Sequence, residues 1–248
     1  MHVRRFAWSL AATGMAFALM GCVGSAATPS TTAIPTTVLP TKNAVPLPSS
    51  RVTKIAVDYD LTGRGDGGFN DLAYNGAKQA SLELGAELRE VTAKLDDTDD
   101  DRAERLRLLA SAGYEAIIGV GFTYAGPMQT VAAEFPNVNF AIVDDGTVVA
   151  PNVQGILFAE HEGSFLVGAA AGLKTTTNTV GFIGAVQIPL LQKFEAGFSA
   201  GVRTANSKAT VQVTYLSQPP DYSGFGDPPH GREAALGMYA NGVDIIFA

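Results

Sequence analysis

The chain is poor in the residues that most enzyme chemistry requires: its 248 residues include one cysteine, three histidines and one tryptophan. A lone cysteine, Cys22, excludes an intramolecular disulfide, and beside so few histidines it makes a Cys-His site a poor reading. His161 lies between Glu160 and Glu162, but the H-E-x-x-H spacing of a zinc protease is absent and no other histidine is near in sequence. No stretch reads as the nucleophile elbow of a serine hydrolase, and the G-x-S-x-G spacing is expected to be absent. Basic residues are scarce too, 17 against 24 acidic ones. Loss of Arg4 and Arg5 with a leader leaves 15 against the same 24. So acidic a body lacks the lysines and arginines that neutralise phosphates, which argues against general nucleic-acid binding.

What is present begins with a leader. Arg4 and Arg5 precede an apolar stretch, Phe6 to Met20, that is shorter than the ~20 residues of a spanning helix. Small residues close it, as in a secretory signal. Leu19-Met20-Gly21-Cys22 then resembles a bacterial lipobox, in which the cysteine is lipidated and becomes the mature N-terminus. Residues 1–22 are therefore expected to be a lipoprotein signal peptide and Cys22 the lipid attachment point. Residues 23–51, as in TPSTTAIPTTVLPTK, bury too little apolar surface to offset their ordering entropy and are expected to form a disordered tether.

From residue 52 onward short apolar runs alternate with amphipathic stretches. KIAVDYD, AELREVT, AIIGVG, NFAIVDD and QGILFAE read as strands, each followed by a helical or connecting segment. A second unit follows: TVGFIGAV, a helix over 190–204, TVQVTYL, a Pro- and Gly-rich loop over 218–229, a helix in GREAALGMYANG and the strand VDIIFA. This alternation predicts two α/β lobes with parallel sheets, residues 52–155 and 156–248, and a ligand cleft beyond the carboxyl ends of the strands. The aspartates of DDTDDD suit the positive end of the helix they precede. As a metal site they lack the EF-hand spacing, its glycine and its terminal glutamate. No metal or cofactor is expected.

The stretch GRGDGGFND, Gly63 to Asp71, poses the central question. Gly63, Gly65 and Gly68 satisfy G-x-G-x-x-G, and Glu90 lies where a ribose-binding acid of a dinucleotide fold is sought. Against phosphate, Leu61 and Thr62 separate the glycines from the strand, Gly68 precedes the helix, and Asp60 and Asp66 face the phosphate position with Arg64 alone to offset them. The alternative is that the glycines present Phe69 and Asn70 to a cleft, where a flat ring beside an amide suits a heterocycle. A third reading is structural, with Phe69 packed inward and Asn70 or Asp71 capping the helix.

Asp66-Gly67-Gly68-Phe69-Asn70 resembles the D-x-S-F-N motif of the basic membrane protein family of substrate-binding lipoproteins, which includes purine-nucleoside receptors of ABC transporters. FAEHEGSFLVGAAAGLKT (158–175) and VGFIGAVQIPLLQKFEAGFSAGV (180–202) resemble two further family segments in the same order. The resemblance implies a type I periplasmic-binding fold, two lobes that close on a ligand, with an ABC permease as partner at the extracytoplasmic face of the cell membrane. It implies that Phe69 stacks on a base, Asn70 hydrogen-bonds beside it, Asp60 and Asp144 contact ring N–H or amino groups, and Phe247 supplies a second stacking face. It makes Glu160 to Glu162 structural. The family runs on past a strand like VDIIFA with a Gly-rich turn, an acidic strand end and a lysine, so the second lobe is expected to be incomplete. A sensor without a transporter and an exported nucleoside-processing enzyme are the alternative functions.

Overall fold

The structure, a computed structural model, describes residues 52–61, 63–94 and 96–248; the expected signal, Cys22 and tether lie outside the described residues. Strand β1, Lys54–Tyr59, is buried along nearly its whole length, the pattern of a strand covered on both faces. It pairs in parallel with β2, Glu87–Thr92, and with β3, Ala116–Val120. β4, Asn139–Val143, and β5, Val153–Ile156, complete a parallel sheet of order β2-β1-β3-β4-β5. The order reverses between β1 and β3, where open α/β sheets leave a crevice.

Three helices cover this sheet. α1, Phe69–Leu84, packs Ala77, Ala73 and Tyr74 on Val57, Tyr59 and Val120, and ends where Gly85 turns left-handed at φ 64°. α2, Asp99–Ser111, and α3, Ala125–Glu134, bring Leu106, Leu109, Met128 and Val131 onto Ile117, Phe140 and Ile142 of the opposite face. The aspartate run makes a capping box at α2: the Thr98 hydroxyl accepts from the Asp101 N–H and the Asp101 carboxylate from the Thr98 N–H. Arg105 of α2 reaches Asp58, fully buried in β1, with Nε to Oδ2 at 3.1 Å.

The second sheet is parallel, order β7-β6-β8, with β6, Thr179–Val186, between β7, Thr210–Ser217, and β8, Ile245–Phe247. α4, Glu160–Lys174, and α5, Pro189–Ala205, lie against one of its faces and α6, Pro228–Ala240, against the other. α4 and α5 meet through glycines. A Cβ on Gly168 would stand 2.0 Å from the Phe198 carbonyl oxygen, and one on Gly201 2.0 Å from that of Phe165.

Phe247 departs from its expected role. It pairs in register with Phe182 of β6, well short of that strand's carboxyl end, and its ring packs 5.3 Å from Phe198 and 5.8 Å from Phe182. Side chains alternate across a strand, and Phe247 falls on the face turned to α4 and α5. Partly buried, it packs against the core of the second lobe.

Candidate functional site

The glycine loop is built by its own carboxylates. Asp66 Oδ1 accepts from the Gly68 and Asp71 N–H groups, and its Oδ2 from the Asn70 N–H at 2.8 Å. Burial works against the ionised Asp66, but these bonds and the Asn70 side-chain amide outweigh it and hold its pKa below the usual carboxylate value. Asp71 takes the Gly65 and Gly67 N–H groups. The donors that a phosphate would seek at this helix start are thus occupied, which removes the dinucleotide reading. Neither residue expected to cap α1 does so in the simple way: Asp66, from the loop, accepts in place of Asn70, while Asp71 ties the loop back to the first turn.

The loop presents Phe69, 37% exposed, and places Asn70 beneath it at 1% exposure. The Asn70 amide Oδ1 accepts from the Asp60 N–H and its Nδ2 donates to Asp66, so the residue joins the end of β1 to the start of α1. Asp60 follows β1; its carboxylate accepts from the Leu61 N–H at 2.8 Å and the Thr123 hydroxyl at 3.2 Å. Gly121, φ 107°, lets it lie there, since a Cβ would stand 2.4 Å from Asp60 Oδ2. Burial raises the Asp60 pKa, with these hydrogen bonds opposing.

Asp144 ends β4 in the left-handed region at φ 66°, unusual for a residue with a side chain. Burial pushes its carboxyl up to about 6; the Glu160 carboxylate adds to the shift, Lys193 opposes it and Asp60 adds a smaller push. Glu160 is buried at the first position of α4, with Lys193 Nζ of α5 at 3.6 Å.

Asp60, Phe69, Asn70 and Asp144 line one cavity of about 330 Å³, within the range of small-molecule sites. Its far wall belongs to the second lobe: Leu190, Leu191 and Phe194 of α5, with Phe225. Phe122, after β3, completes it and touches the second lobe through Tyr222 and Phe225, at ring distances of 5.9 and 6.2 Å. Phe194 and Phe225, and not Phe247, are the aromatic side chains of the second lobe that line this cavity. Beside the cavity, across Phe122, lies a hollow of about 570 Å³ lined by Asp96, Asp97, Asp99, Arg102 and Asp221 among others.

Hydrolase features do not assemble. One stretch, Gly197-Phe198-Ser199-Ala200-Gly201, does have the G-x-S-x-G spacing, which corrects the sequence reading. It lies in the middle of α5 with Ser199 buried, not on a strand-to-helix turn, and both glycines serve the contact with α4. Among the described residues no group of three His, Cys, Asp or Glu side chains is placed to hold a metal ion.

Two α/β lobes with a ligand-sized cleft at the carboxyl ends of their strands define a two-lobed binding protein. The chain belongs to the Bmp family, described as ABC transporter substrate-binding protein PnrA-like, whose model matches residues 53–248. That is a family of binding proteins, not of enzymes. The CD4+ T-cell-stimulating antigen of Listeria monocytogenes is 34% identical over 203 residues, 80% of this chain and 55% of the relative. The ABC transporter nucleoside-binding protein BmpA of Lactococcus lactis is 30% identical over 198 residues, 78% of this chain and 54% of its own length. An uncharacterized lipoprotein of Pyrococcus abyssi is 34% identical over 204 residues, 80% of this chain and 49% of the relative. Among solved structures, a solute-binding protein of an ABC transporter system from Aeropyrum pernix has a TM-score of 0.68 at 29% identity, covering 78% of this chain and 54% of that one. The chain spans about half the length of these curated relatives.

Proposed function

We propose that the chain is the ligand-binding part of a lipid-anchored, extracytoplasmic substrate-binding protein of an ABC importer, and that its ligand is a purine nucleoside or a similar heterocycle. The observation that carries this reading is the grouping of the Phe69 ring with the Asp60, Asn70 and Asp144 side chains around one cavity between the lobes. An aromatic plate gives sequence-tolerant stacking, and carboxylates at its edge accept from ring N–H or amino groups. The carboxylates of the neighbouring hollow disfavour phosphate-bearing ligands, so a nucleoside fits better than a nucleotide. The name of the Lactococcus lactis relative supports the ligand class, and that of the Pyrococcus relative supports the anchor.

Calorimetric titration with adenosine, guanosine and inosine tests the ligand, and pH sharpens the test. Asp144 accepts from a ligand N–H more strongly as a carboxylate than as a neutral acid, and burial pushes its pKa in the free protein up to about 6. Affinity is therefore expected to be constant above pH 7 and to fall below 6, by at most about tenfold per pH unit. Asp144→Asn should flatten that profile. The stability sign is opposite: the folded pKa lies above the unfolded 3.8, so the ligand-free fold gains from protonating Asp144 as pH falls through 6, and the full cost of its charge is present above. A pH-independent affinity in the native protein would remove Asp144 from the ligand contacts. Transport partnership rests on the family, and the anchor on Cys22: Cys22→Ser is expected to move the protein from the membrane fraction to the soluble one, scored by fractionation and immunoblot.

A further inference from the structure

Phe69 is carried by a loop that ought to be soft. Gly63, Gly65 and Gly67 all lie at positive φ, 61°, 96° and 64°, and such glycines lose more conformational entropy on ordering than any other residue. Hydrogen bonds from the Gly65, Gly67 and Gly68 N–H groups to the Asp71 and Asp66 carboxylates shape the loop from the α1 side. Arg64, between the first two of these glycines, is read from the sequence only as the one cation near Asp60 and Asp66. Its guanidinium carbon lies 3.4 Å from the centre of the Tyr74 ring, on α1. Its Nη1 donates to Glu90 Oε2 of β2 at 3.2 Å, and the same oxygen accepts from the Tyr59 hydroxyl of β1 at 3.0 Å. Its Nε lies 3.7 Å from Asp71 Oδ1. One side chain thus ties the loop to β2 and to the helix that begins with Phe69.

We propose that Arg64 is a positioning residue for ligand binding: laid on Tyr74 and bonded to Glu90, it holds the glycine loop so that Phe69 stands in the cleft before a ligand arrives. This rests on the nucleoside reading above and adds to it the residue that preorganises the stacking face. A planar fork that stacks and donates at once is a property of arginine that lysine does not reproduce. Ordering the loop beforehand removes that entropy from the binding step, so the benefit appears in affinity, while the same contacts add only modestly to global stability. Arg64 is not among the residues that line the cavity, so its effect has to pass through the loop.

The test uses the full chain and adenosine as probe. Arg64→Ala is expected to raise the dissociation constant by about tenfold with a thermal midpoint lowered by only about 2–4 °C, and Arg64→Lys to fall between wild type and Arg64→Ala. In a Phe69→Leu background, where stacking is already lost, Arg64→Ala is expected to add less than about twofold, because both changes act on one contact. Independently of any ligand, hydrogen exchange at the Gly65, Gly67 and Gly68 amides should quicken by about tenfold in Arg64→Ala, with the β1 amides unaffected. Equal effects of Arg64→Ala in the two backgrounds, or an unchanged dissociation constant, overturn the proposal. So does unchanged loop exchange. If the wild type binds no nucleoside while the exchange responds as expected, the nucleoside reading fails and only the pinning of the loop stands.

Discussion

Phe69→Ala is expected to weaken purine-nucleoside binding by about 30- to 100-fold, some 2–3 kcal/mol, the usual cost of truncating a central aromatic anchor. Titration calorimetry at pH 7.5 measures it. The thermal midpoint should barely move, because the ring is 37% exposed and lies outside the cluster in which α1 packs on the sheet through Ala73, Tyr74 and Ala77. Phe247→Ala makes the matched control with the opposite pattern. That ring packs on Phe182 and Phe198 in the second lobe's core, so its loss should lower the midpoint and leave affinity, measured where the protein is folded, within about twofold. If Phe247→Ala weakened binding as strongly as Phe69→Ala without loss of stability, the placement of Phe247 against the core would be wrong.

The contrast between these two phenylalanines marks where the sequence can be read and where it cannot. The strand and helix alternation is legible because buried parallel strands are short apolar runs and helices repeat at 3.6, so β1 and α5 fall within a residue or two of their expected places. Local signals are legible too: Gly85 ends α1, and the aspartate run caps α2. Asp60, Phe69, Asn70 and Asp144 all sit at the carboxyl end of a strand or the helix start beyond it, which places them near the switch point once the strand order is known. The second-lobe wall is a different matter. Whether Phe247 faces the cleft depends on the register of β8 against β6, and a one-residue change in a strand turns a side chain to the other face, while Phe194 on α5 and Phe225 in the turn before α6 reach the cavity from outside the sheet. That register comes from long-range pairing, and nothing local in VDIIFA encodes it. The role of Asp66 was hidden for a related reason, since a loop carboxylate that caps a helix from three residues before its start resembles a ligand-facing acid in sequence.

The second large effect concerns two glycines that differ only in what surrounds them. Gly201→Ala puts a Cβ 2.0 Å from the Phe165 carbonyl oxygen and 2.7 Å from the Ala169 N–H nitrogen, both backbone atoms of α4 that no rotamer change can move aside. Gly168 sits in the reciprocal position against the Phe198 carbonyl, so the clash cannot be relieved by sliding α5 along α4 without closing the other contact. The helices have to separate, and Phe198 and Val202, both fully buried against Val180 and Phe182, lose part of their packing. The expected cost is about 3 kcal/mol or more, at the upper end for overpacked cores. For a body of this size that lowers the thermal midpoint by roughly 6–12 °C, read by circular dichroism. Gly237→Ala, in α6, is the same chemical change with no heavy atom within 4 Å of the new Cβ. There alanine only restricts the unfolded chain and improves helix propensity, so the midpoint should rise slightly. Equal effects at the two sites would mean that glycine content alone, and not the close approach of α4 and α5, sets the stability of the second lobe.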